Sequence, residues 1–132
     1  MLLRYFKGAA ILPHWTEYPS APVSGSVVTH ISTLSQGANT LHVKSHKGNF
    51  PLIVLLTDKQ ITGYVNACPH QYLPLDYRSN IILNASGDKL MCSAHGAMFD
   101  SKSGAGLNDI AQGCHLDAVP LTVTEDGTIS IG

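Results

Sequence analysis

The chain has 132 residues, 44% of them apolar and 13% charged, with a formal net charge of −1. That length suits one domain, and the composition argues against extended disorder, which combines low hydrophobicity with high charge. The eight basic residues are scattered, which argues against nucleic acid as a partner, because phosphate contacts need clustered Lys and Arg.

The first 25 residues stand apart. Arg4 and Lys7 precede a short apolar run over residues 8–12, which Pro13 and His14 break. A secretory signal needs about 7–15 apolar residues, and a membrane helix roughly 20. The expectation is a cytoplasmic protein with no membrane span. Pro13, Pro19 and Pro22 block regular ladders, while Tyr5, Phe6, Trp15 and Tyr18 favour burial. Residues 1–25 are expected to form an N-terminal extension packing on the domain, with a partner-docking role as the alternative. Residues 26–132 are expected to form the domain itself.

From residue 26 the chain reads as short strands. Residues 26–31 are rich in β-branched side chains. Leu41-His42-Val43 alternates before the turn residues Lys47-Gly48-Asn49. Residues 50–56 are a continuous apolar run of strand length, the pattern of a buried strand. Asp58-Lys59-Gln60 turns that run into a second strand over residues 61–67, giving a hairpin. Near the C-terminus, residues 121–124 and 128–131 alternate with period two around Asp126-Gly127, a strong hairpin signal. No segment carries a long 3.6-residue stripe. The fold class is all-β, a small antiparallel sandwich or barrel.

The chemistry lies in two loops. Cys68-Pro69-His70 directly follows the 61–67 strand, and Cys92-Ser93-Ala94-His95 directly follows Lys89-Leu90-Met91. Each loop offers one thiolate and one imidazole from the end of a strand. Two sulfur and two nitrogen ligands suit either Zn²⁺ or an iron–sulfur cluster. Zinc sites usually pair Cys with Cys and His with His, whereas each pair here is mixed. A third cysteine, Cys114, makes the count odd, which does not suggest a disulfide framework. It reads more simply as a small buried hydrophobe. His14, His30, His42, His46 and His115 have no cysteine at ligand spacing, apart from Cys114 beside His115. A thiol nucleophile at Cys92 with His95 would leave Cys68 and His70 unexplained.

Residues 66–132 resemble the Rieske domain family. Its pattern is Cys-x-His, a spacer, then Cys-x2-His followed by Gly and a Phe/Tyr-Asp step. Asn66-Ala67-Cys68-Pro69-His70 and Cys92-Ser93-Ala94-His95-Gly96-Ala97-Met98-Phe99-Asp100 fill it, and Pro74-Leu75 matches many small members. The flanking strands extend the resemblance to about residues 26–132. It implies a Rieske-like antiparallel β fold with two cluster-binding loops. The implied [2Fe–2S] cluster has its buried iron held by Cys68 and Cys92 and its outer iron by His70 and His95.

Departures from the pattern carry further expectations. Respiratory-complex members join the two loops by a disulfide at positions that fall here on Leu73 and Ala94. Apolar packing is expected to do that clamping instead. High-potential members also carry a Ser and a Tyr where this chain has Ala97 and Phe99. Hydroxyl donors to cluster sulfur stabilise the added electron, so their absence predicts a low potential. Residues 80–88 are expected to form a small extra excursion. Gln112-Gly113-Cys114 is the expected covering loop, and Leu73, Pro74, Ala97 and residues 112–114 the expected apolar rim.

The resemblance implies a ferredoxin, an electron carrier between redox partner proteins: a flavin reductase on one side and a terminal oxygenase on the other. The alternatives are a small subunit of a multi-subunit reductase of the nitrite-reductase kind, and a zinc-stapled module. Catalysis by this chain alone is not expected.

Overall fold

The computed structural model describes residues 15–58, 60–69 and 71–132, with the backbone of two short paired strands, β1 (Tyr5–Phe6) and β2 (Ala9–Ala10). The side chains of Tyr5 and Phe6, together with Pro13, His14, Lys59 and His70, lie outside the described residues. The remaining strands are β3 (Val27–His30), β4 (Gly37–Ser45), β5 (Gly48–Thr57), β6 (Gln60–Val65), β7 (Lys89–Met91), β8 (Met98–Asp100), β9 (Ala118–Val119), β10 (Leu121–Val123) and β11 (Thr128–Ile131). The helical elements among the described residues are two 3₁₀ turns, Trp15–Glu17 and Ile31–Thr33. No helix among them is long and apolar enough to cross a membrane.

All pairings are antiparallel. One sheet runs β4-β5-β6-β9, a second runs β10-β11-β3, and β7 and β8 form a separate hairpin. The expected all-β class and its two hairpins are present. β5 explains the architecture. Its side chains alternate between two buried layers, because successive residues of a strand point to opposite faces. Phe50, Leu52 and Val54 enter a base core with Val43, Val65, Val119 and Ile131. Ile53 and Leu55 enter a second core with Tyr64, Leu75, Leu90, Phe99 and Leu116. Burial on both faces is why this strand reads as an unbroken apolar run.

The base is a sandwich: β11 contributes Ile131 from the second sheet, and Val28 of β3 packs against the same core. Trp15 and Tyr18 meet Phe50 edge-on, with ring centroids 6.2 and 6.1 Å away. Trp15 and Tyr18 therefore rest on the base. At the β10–β11 turn Gly127 has φ +93°, a left-handed conformation that favours glycine. Two boundaries differ from the sequence reading. β4 is longer than its 41–43 signal, because polar Asn39, Thr40 and Lys44 lie on a partly exposed outer strand. β6 ends at Val65: the Asn66 N–H still donates to the Pro51 carbonyl of β5 at 3.1 Å, but the Ala67 N–H turns back to the Val65 carbonyl at 2.9 Å.

Residues 66–117 form a lobe between β6 and β9. Its two ends lie side by side, since Gly63 pairs with Val119 and Tyr64 with Ala118. The Val65 N–H also donates to the Asp117 carbonyl at 2.9 Å. Both cysteine-bearing loops belong to this lobe.

Candidate metal centre

The first loop is a tight turn. The Cys68 N–H donates to the Leu73 carbonyl at 2.7 Å, and the Cys68 carbonyl accepts from Gln71 at 3.1 Å and from Tyr72. Tyr72 has φ +60°, an uncommon conformation for a bulky residue. Asn66 fixes the loop from below and is 6% exposed. Its Oδ1 accepts the Leu75 N–H at 2.8 Å, and its Nδ2 donates to Asp76 Oδ1 at 3.0 Å. Removing that amide orphans a buried N–H. Asn66→Ala is expected to lower the unfolding free energy by about 1–3 kcal/mol, measured by urea denaturation. Unchanged stability would contradict this role.

The second loop closes in the same style. The Cys92 N–H donates to the Ala97 carbonyl and the Gly96 N–H to the Cys92 carbonyl, both at 2.8 Å. Gly96 supplies the left-handed corner, at φ +81°. Ser93 joins the two loops. Its N–H and its Oγ both donate to the Leu75 carbonyl, at 2.8 and 2.7 Å. The same Oγ accepts from the N–H groups of Arg78 and Ser79, at 2.8 and 3.1 Å. The expectation of purely apolar clamping is thus corrected: half-buried Leu73 and buried Ala94 do pack into the lobe core, but Ser93 adds a polar clasp beside them. A serine directly after Cys92 carries no sequence signal for that role.

A third segment braces the second loop. Asn108 Nδ2 donates to the Gly96 carbonyl at 2.9 Å, and its Oδ1 accepts the Met98 N–H at 3.1 Å. Cys114 is partly buried against the lobe core, and its carbonyl accepts the Gly106 N–H at 3.0 Å. Here it serves packing, as a small hydrophobe. The expected rim needs one correction. Ala97 is fully buried because the loop turns its methyl group inward. The apolar surface of this end comes instead from Leu107 and Ile110, which the sequence reading missed.

Cys68 and Cys92 are 2% and 1% exposed and belong to the same buried core, whereas His95 is exposed. No disulfide joins any of the three cysteines. Among the described residues no three His, Cys, Asp or Glu side chains gather at one metal-ion site. A binuclear cluster divides its ligands two and two between its irons. Two buried thiols below an exposed imidazole fit that division, with sulfur inside and nitrogen at the surface. Ala97 and Phe99 are both fully buried without a hydroxyl. The nearby Tyr64 hydroxyl donates to the Ser101 carbonyl at 2.9 Å. Burial, with Asp100 adding to it, pushes the Tyr64 phenol up to about 12, so it stays a neutral donor.

Comparison with known proteins follows the same lines. A family model described as the Rieske [2Fe-2S] domain matches residues 25–121. No curated protein sequence matches the chain. The fold is similar to that of the ferredoxin of carbazole 1,9a-dioxygenase from Nocardioides aromaticivorans IC177. There the TM-score is 0.66 at 18% identity, over 83% of this chain and 98% of that one. A ferredoxin from Sphingomonas yanoikuyae B1 gives a TM-score of 0.63 at 23% identity, over 81% of this chain and 96% of that one. A chain from a complex of a carbazole-bound oxygenase variant with ferredoxin gives 0.65 at 16% identity, over 82% of this chain but 28% of that one.

Proposed function

Since the chain belongs to the Rieske [2Fe–2S] domain family, we propose that it is a small electron carrier whose cluster is held by Cys68, His70, Cys92 and His95. The observation that carries this reading is the pair of buried thiols, one per loop, beneath the exposed His95. The cluster supplies a site for one electron at a time.

The chain's own residues do the rest. The two cysteine-bearing turns are closed by their own backbone bonds and clasped by Ser93, so the fold itself holds Cys68 and Cys92 in place. That rigidity keeps reorganisation small when charge changes. The apolar lobe core beneath Cys68 and Cys92 keeps water from the sulfur side. His95 lies at the surface, where a partner can approach. Leu107 and Ile110 offer apolar area suited to the small, brief interfaces of redox encounters.

The partners in this reading are a flavin reductase and a terminal oxygenase. It is supported by the near-complete coverage of two short ferredoxin chains and by a similar chain that occurs with ferredoxin in an oxygenase complex. A second reading is a small subunit of a multi-subunit reductase of the nitrite-reductase kind. In either reading residues 26–132 make the domain, residues 1–25 extend it, and the setting is cytoplasmic.

The test is direct. Purified protein is expected to be red-brown, to contain iron and acid-labile sulfide in equal amounts, and to give a rhombic EPR signal once reduced. With no hydroxyl at positions 97 and 99, its potential is expected in the lower half of the range of about −150 to +300 mV. A colourless protein with one zinc per chain overturns the proposal. A potential near the top of the range overturns the role given to Ala97 and Phe99.

A further inference from the structure

Beside the first loop lies an open groove of about 510 Å³ that the two metal-binding loops do not explain. This volume falls within the roughly 300–1,000 Å³ usual for ligand sites. Tyr18, Tyr72 and Tyr77 line it, with Asn66, Pro74 and Asp76. Among the described residues its lining holds one carboxylate, Asp76, and no Lys or Arg, with His42 as the other ionisable side chain besides the phenols.

Tyr18 packs on the base core, whereas Tyr72 and Tyr77 stand half in solvent. Tyr18 packs edge-on against Phe50 and donates its hydroxyl to Asp117 Oδ2 at 3.2 Å, which fixes its ring. Burial, then the neighbouring Asp117, push that phenol well above its ordinary range, so it stays neutral. Tyr72 and Tyr77 are 52% and 56% exposed. Tyr72 sits at φ +60°, where glycine would be relaxed. A backbone that holds a large aromatic in an unfavoured conformation while leaving it half in water gains nothing from packing that ring. Such outliers point to use. Asp76 accepts one hydrogen bond, from Asn66 to Oδ1, and among the described residues its other oxygen takes none.

Aromatic walls beside a half-engaged carboxylate, with no Lys or Arg among the described lining residues, suit a planar cation. We infer that this groove receives an arginine side chain of the redox partner, orienting that partner on the flank of the Cys68 loop. The inference rests on the electron-carrier reading above. Ala67, Tyr72 and Pro74 all belong to the loop that carries Cys68. An arginine seated there would hold the partner beside the cluster while leaving the His95 surface open.

The test uses the cluster-loaded full chain, checked by EPR, with its tyrosines ¹³C-labelled on the ring. The probe is the peptide acetyl-Gly-Arg-Gly-amide, set against the same peptide with neutral citrulline in place of arginine. The arginine peptide is expected to shift the ring signals of Tyr18, Tyr72 and Tyr77 saturably, and the citrulline peptide to bind roughly tenfold more weakly. Asp76→Asn keeps an acceptor for Asn66 but removes the charge, and is expected to weaken the arginine peptide by a similar factor. Tyr72→Gly suits the local φ and removes the ring, and is expected to abolish the shifts without loss of thermal stability. Equal shifts from the two peptides, or none, in protein with an intact EPR signal overturn the groove alone. Arginine-specific shifts in protein that never forms a cluster support the groove but overturn the electron-carrier reading beneath it.

Discussion

Replacing Cys92 with alanine is expected to abolish the EPR signal of the reduced protein while the far-UV circular dichroism of a β domain persists. In the proposed centre the Cys92 thiolate is a ligand, and neither a methyl group nor water replaces a thiolate with equal affinity. The turn itself depends on backbone groups: Cys92 N–H to Ala97, Gly96 N–H to Cys92, and Ser93 to Leu75. None of these uses the sulfur, so the loop keeps its course. The base core lies on the other face of β5 and contains neither cysteine ligand. Cys114→Ala is the matched control and is expected to retain the signal, because Cys114 packs against the lobe and closes it through its backbone carbonyl. Retention of the signal in Cys92→Ala, or its loss in Cys114→Ala, would overturn the ligand assignment.

The second large effect concerns stability. Phe99 is fully buried and pairs with Leu90 across the β7–β8 hairpin. It belongs to the core that Ile53, Leu55 and Tyr64 extend from the central sheet into the lobe. Deleting a buried phenylalanine side chain removes its transfer free energy and leaves a cavity, together costing about 3–5 kcal/mol. Phe99→Ala is therefore expected to lose about that much unfolding free energy in urea. Amide exchange should rise first in the hairpin and along residues 92–98. A loss below about 1 kcal/mol would mean that the lobe collapses onto the space and is not held by this ring.

The mixed Cys/His loops were legible in the sequence because ligand chemistry demands particular residues at short spacing. The buried run of β5 was legible for a similar reason: burial on both faces leaves no polar alternation to confuse. Lost in the sequence were the residues that hold the loops through single hydrogen bonds. Asn66, Ser93 and Asn108 look like ordinary loop residues, and their partners lie as far as Leu75, Arg78 and Gly96. Such contacts depend on where loops meet in space, which no local pattern encodes. Ala97 misled for a related reason, since its position beside a ligand said nothing of which way its methyl group points. The pairing of β3 with β11 was likewise hidden, because each strand read only as locally β-prone.

The side-by-side ends of residues 66–117 have a consequence of their own. A chain excursion that leaves and re-enters a sheet at adjacent rungs is, topologically, a graft. Its closure is set by the β6–β9 rungs, and lengthening such a closed excursion adds little further entropy, since the cost grows only with the logarithm of length. Within it, residues 80–88 turn back so that Leu83 bridges to Leu90. The core on the far face of β5 thus lies outside changes to the lobe, while Ile53, Leu55 and Tyr64, which face the lobe, take them up.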